Sequence, residues 1–108
     1  MDKLATAVKN SDAGGAVLAI GGGNTADYAK HSMMIGVNTT LTGTQSDVSE
    51  FNMINGFDVT AKNVDHVTSI GYKNTISDSS TVQLIGDNRK LTNVKNSVIL
   101  ALPKAKWN

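Results

Sequence analysis

The pair Ile-Gly returns along this chain at Ile20-Gly21, Ile35-Gly36, Ile70-Gly71 and Ile85-Gly86. Gly21 to Gly36, Gly56 to Gly71 and Gly71 to Gly86 each span 15 residues, and Gly36 to Gly56 spans 20. A fixed short period constrains a fold tightly, because each unit is too small to bury its apolar face except against its neighbours. With each Gly as position zero, position −1 holds Ile20, Ile35, Asn55, Ile70, Ile85 and Leu100. Position −3 holds Leu18, Met33, Met53, Thr68, Gln83 and Val98, and position +5 holds Ala26, Leu41, Ala61, Ile76 and Leu91.

The unit is too short for helical repeats, which need about 33 residues. Apolar residues two apart are strand periodicity. Gly21, Gly36, Gly56, Gly71 and Gly86 are read as repeat turns, where a missing Cβ permits positive φ. A second short strand carries +5 inward, and a polar run such as Asn74-Thr75-Ile76-Ser77-Asp78 supplies the second turn. The predicted fold is all-β: a parallel β-roll, or β-solenoid, of about six coils stacked at roughly 4.8 Å. Its predicted core is Ile20, Ile35, Leu41, Ile70, Ile76, Ile85, Leu91 and Leu100, with Val82, Leu84 and Ile99 facing outward. So thin a roll buries too little to offset the ordering of its backbone. That shortfall and the doubly apolar strands predict self-association.

Composition removes several function classes. There is no Cys, hence no disulfide framework, thiolate metal site or Cys nucleophile. Ten Lys and Arg against nine Asp and Glu, scattered singly, give no basic face for nucleic acid. Only 5% of residues are aromatic but 40% are hydrophobic, so small apolar residues must be buried in some regular way. No run is long enough to span a membrane, and Met1-Asp2-Lys3-Leu4 opens no signal peptide. If the parent is exported, this chain is an excised piece of it. His31 and His66 share a repeat position, but no spacing completes a metal site, and both are read as turn residues. Gly21-Gly22-Gly23-Asn24 lacks the Lys-Ser/Thr of a phosphate loop. Nothing pairs a nucleophile with an oriented base, so no enzyme, cofactor or metal is expected.

The segments Met33-Met34-Ile35-Gly36, Thr68-Ser69-Ile70-Gly71-Tyr72 and Ser97-Val98-Ile99-Leu100 resemble the repeats of YadA-like trimeric autotransporter heads. The run from Asn88 to Leu100 is especially similar to the last coils of such heads. The resemblance covers 16–101. It implies a left-handed roll, a homotrimer, a place on the outer surface of Gram-negative bacteria, and adhesion to a host-cell receptor or extracellular-matrix protein. Residues 1–15 are then an N-terminal cap or the end of an upstream segment, with Leu4 and Val8 at helical spacing. Residues 102–108 are a C-terminal cap or the start of a neck, with Trp107 as a plug or a neck residue. Three features depart from the family pattern: Asn55 in the Ile column, five extra residues after Gly36, and an end without a complete neck motif.

Those five residues carry the predicted ligand contact. Stacking fixes the register, so an excess must loop out, and loops on rigid scaffolds carry recognition. The loop is read as Thr44 to Phe51, with Gln45 and Ser46 at a polar tip, Asp47 and Glu50 for charge pairing and Phe51 as an apolar anchor. Deleting Gln45 to Ser49 should restore the period. The competing classes are a spacer without a ligand and a phage tail fibre. An ice-binding solenoid would need one outward Thr per coil, and here Thr39, Thr40, Thr42 and Thr44 share one segment. A hexapeptide-repeat acyltransferase would need a six-residue period.

Overall fold

A computed structural model describes residues 6–9 and 15–101, with side chains from Ala16 onward. The chain is all-β, a parallel β-solenoid of about six turns. Among the described residues eleven strands form one continuous sheet: β1 (Thr6–Lys9), β2 (Gly15–Gly22), β3 (Asn24–Asp27), β4 (Ala29–Val37), β5 (Thr40–Thr42), β6 (Ser49–Glu50), β7 (Met53–Phe57), β8 (Thr60–Tyr72), β9 (Thr75–Gly86), β10 (Lys90–Thr92) and β11 (Lys95–Ala101). The register follows the repeat frame. Ile20 pairs with Ile35, Ile35 with Asn55, Asn55 with Ile70, Ile70 with Ile85, and Ile85 with Leu100. The helical spacing of Leu4 and Val8 does not give a helix at Val8, which lies in β1 and pairs with Ala26. Leu4, Pro103 and Trp107 lie outside the described residues.

A regular coil has three left-handed corners, not two turns. The first falls at position +2, in Asn38, Asp58, Lys73 and Asn88; the second at +7, in Tyr28, Asn63, Asp78 and Asn93. The third falls five before the Gly, in His31, Phe51, His66, Thr81 and Asn96. Asn and Asp tolerate this conformation best, which accounts for their abundance there. At several corners the following N–H is accepted by a buried side chain one coil earlier, and at others that position holds a Val such as Val59 or Val67. Asn24 Oδ1 accepts from the Thr39 N–H at 3.0 Å, and Asn74 Oδ1 from Arg89 at 3.0 Å. Ser49 Oγ accepts from Val64 at 3.0 Å, Ser79 Oγ from Val94 at 3.0 Å, and Asn52 Oδ1 from Val67 at 3.0 Å. Polar residues are therefore required inside the roll.

The glycines do not act as free-standing turns; they lie within strands, on the inward face. A Cβ at Gly71, whose φ is +147°, would run into the Gly86 carbonyl oxygen one coil on. The space beside Gly71 is taken by Asn74, whose Nδ2 donates to Gly86 O at 2.8 Å. Because side chains alternate, inward glycines place positions −2 and −4 inward as well.

The core assignment must therefore be corrected. Leu41 and Ile76 are wholly buried and Leu91 nearly so. Ile20, Ile35, Ile70, Ile85 and Leu100 instead face outward; Ile20 is 47% and Ile85 43% exposed. The interior partners are Met34, Ile54, Ser69 and Leu84 at −2, and Val67 and Val82 at −4. Val82 and Leu84, expected outside, are fully buried, and Ile99 packs against the core. Both alternating columns are apolar, so hydrophobicity could not tell one face from the other. Only glycine parity does.

Two outcomes follow for stability. Asn74→Ala leaves the Arg89 N–H and the Gly86 carbonyl without partners and should cost about 2–4 kcal/mol, whereas Ser77→Ala should stay within about 0.5 kcal/mol. Leu84→Asp should abolish the fold by burying an unpaired charge. Urea titration of the first two and circular dichroism of the third check this; a native-like Leu84→Asp protein would refute the parity assignment.

Candidate recognition site

The five extra residues sit at a single corner. Leu41 pairs with Ala61 and Glu50 with Asp65, so the strands on either side keep register. Only the +7 corner is enlarged: six residues, Gly43 to Val48, replace the single residue that Asn63 provides in the next coil. The loop closes on itself. Thr44 N–H donates to Asp47 O at 2.9 Å, and Asp47 N–H returns to Thr44 O at 3.1 Å. Gln45 and Ser46 form the exposed tip of this turn.

The loop bounds therefore differ from expectation. Ser49 is buried, donates to Thr42 O at 2.8 Å and serves as a corner acceptor. Deleting Gln45 to Ser49 restores the period but removes Ser49; deleting Thr44 to Val48 restores the period and keeps Ser49. Glu50 belongs to β6, and Phe51 is an ordinary left-handed corner, not a loop residue.

Phe51 nevertheless occupies a distinctive place. Its ring stacks between His31, at 5.3 Å and 11°, and His66, at 4.9 Å and 25°. The three rings form a ladder along one corner of the solenoid, with Phe51 half exposed. Such contacts contribute about 0.5–1.5 kcal/mol each beyond area burial. His31 Nδ1 lies 3.1 Å from Glu50 Oε2, and Lys30 Nζ lies 3.8 Å from the same oxygen. These groups are substantially exposed, so the pairings contribute little to stability.

Between the ladder and the loop runs an open groove of about 630 Å³, lined by Lys30, Ser46, Asp47, Glu50, Phe51 and Asp65 among others. Asp65 was not foreseen. Its Oδ1 accepts from the Glu50 N–H at 3.0 Å. Partial burial, opposed by that hydrogen bond, and the nearby Asp47 and Glu50 charges hold its carboxyl above the ordinary 3.8. The structure thus brings Ser46, Asp47, Glu50 and Phe51 to one groove, while Gln45 is not among its lining residues. The His–Phe–His ladder was legible by counting backward: His31, Phe51 and His66 each lie five residues before a repeat glycine. Among the described residues no group of three or more His, Asp or Glu could hold a metal ion.

Comparison with protein-family models, curated proteins and solved structures finds no match to this chain.

A raised carboxylate opposes folding when ionised, so the stability linked to Asp65 protonation is present at low pH. It is lost as pH rises from 3.8 through the folded value. Asp65→Asn, which keeps an oxygen for the Glu50 N–H, should therefore melt higher than the parent at pH 7. The gap should close as pH falls below the carboxylate range. Thermal melts across pH decide; a parent that outlasts Asp65→Asn at pH 7 contradicts the assignment.

Proposed function

We propose that this chain is a non-enzymatic, self-associating head module of a surface fibre, similar in kind to YadA-like adhesin heads. On this reading the coils are left-handed, three copies surround one axis on the bacterial surface, and the Gly43–Val48 corner contacts a host-cell receptor or matrix protein. The observation that carries the reading is the outward apolar face. Leu18, Ile20, Ile35, Met53, Ile70 and Ile85 form adjoining ladders across successive coils. The corner next to them adds Val37, Phe57 and Tyr72. A soluble monomer rarely shows an apolar patch above a few hundred Å².

The groove lies on a different side of the coil, beyond the corner held by Phe51. Association through the apolar face therefore leaves the loop free, and three loops around an axis would give avidity from weak single contacts. The tightness of the loop favours the spacer as a second reading, because its own hydrogen bonds satisfy it without a ligand.

Sedimentation of the parent should give a trimer, and Ile85→Asp should shift it toward smaller species. A stable folded monomer of the parent at micromolar concentration contradicts the assembly. Deleting Thr44 to Val48 should leave the assembly intact and abolish binding to host cells or matrix; unaltered binding leaves the spacer reading.

A further inference from the structure

The outward face has an ambiguity built into it. Its central column repeats at every coil, as Ile20, Ile35, Ile70 and Ile85, and these residues stack in register. Two such faces slid past one another by one coil, about 4.8 Å, would still put Ile against Ile. One residue breaks the pattern. Asn55 takes the central position in β7, between the outward side chains of Met53 and Phe57. Asn24, Asn52 and Asn74 are buried and hydrogen-bonded inside the roll, whereas Asn55 is exposed. It borders a shallow hollow of about 290 Å³ with Ile70, Phe57 and Tyr72.

We propose that Asn55 sets the register in which a second copy of this chain packs along the apolar face. This rests on the self-association reading above. Three observations favour a second copy as the occupant. The exposed apolar side chains amount to roughly 1,000 Å², comparable to the ~800 Å² that each partner contributes to a standard interface. Positions −3 and −1 hold no Lys, Arg, Asp or Glu from Leu18 to Leu100, and at +1 the single charge from Gly22 to Asp87 is Asp87, whose Oδ1 accepts from the Tyr72 N–H at 3.0 Å, so the face offers little charge to a charged partner. The order of side chains along the face is necessarily the same in every copy. Parallel packing at zero offset therefore sets Ile on Ile and Asn55 on Asn55.

An amide carries both donors and an acceptor, so it is its own complement. A one-coil slip sets Asn55 against Ile35 or Ile70 and leaves it desolvated and unpaired. That cost discriminates registers, as a buried Asn does in a parallel coiled coil. Thr68 and Gln83, in the neighbouring column, also interrupt the repeat. Asn55 differs in standing in the central column, with apolar side chains on both sides of it along the strand.

The chain has no Cys, so single-Cys variants report contacts cleanly. Ile70→Cys chains are mixed, by unfolding and refolding, with mass-labelled Ile85→Cys chains and mildly oxidised. At zero offset only like pairs form: Cys of one variant with Cys of the same variant. A one-coil slip gives the mixed pair. We expect mixed pairs to be rare in the parent background and to rise about tenfold with Asn55→Ile, as a discrimination of ~1.4 kcal/mol implies. Thr68→Val should leave them rare. Because Asn55 is exposed in the single chain, Asn55→Ile should fold as the parent does. Mixed pairs equally rare with Asn55→Ile, or already abundant in the parent, would overturn the role of Asn55. A parent that sediments as a monomer would overturn the assembly itself.

Discussion

Each coil must hydrogen-bond to the coil 15 residues along, and the chain must still turn three corners to do so. Those two demands conflict, because a left-handed corner aims the next N–H away from the carbonyl below it. A buried backbone donor left unpaired costs about 1–3 kcal/mol. Six such donors would together cost as much as the net stability of a small domain. Interior Asn and Ser relieve the conflict at six corners by lending side-chain oxygens to the next coil. Ser32, for example, accepts from the Asn52 N–H at 3.2 Å while donating to Lys30 O at 2.8 Å. The interior is thus polar at its corners and apolar along its sides.

That division explains what could be read from the residues. The period, the parallel stacking and the buried Leu41 and Ile76 follow from recurrence alone. The choice of face did not follow, because Ile70 and its strand neighbour Ser69 were weighed by hydrophobicity. Ser69 is buried and Ile70 outward, the reverse of the usual preference. The usual preference assumes a chain that meets water on its outer side, and the outer columns here have the composition of a second core. Glycine parity was the decisive signal. Gly71 shares a face with whatever lies two residues before it, and close approach to Gly86 O requires that face to be the inner one.

The candidate site was legible in its parts but not in its arrangement. An excess of five residues announces a loop wherever strands resume register, yet the sequence does not say which of three corners swells. Pairing places the swelling between Thr42 and Ser49. Phe51 then falls on a corner column beside His31 and His66, and Asp65 comes against Glu50 through a backbone contact one coil away. Neighbours across coils are invisible until the frame is reset at Gly56, because the enlarged corner shifts every earlier count by five.

The ladder bonds run along the solenoid axis, not across it. Tension applied between the two ends therefore loads few bonds at a time, and the chain yields by peeling one coil from the stack. Each coil released lengthens the chain by about 50 Å at full extension. Such a stack would lengthen in nearly equal steps under load. One step is longer than the others, where the enlarged corner between Gly36 and Gly56 pays out five further residues.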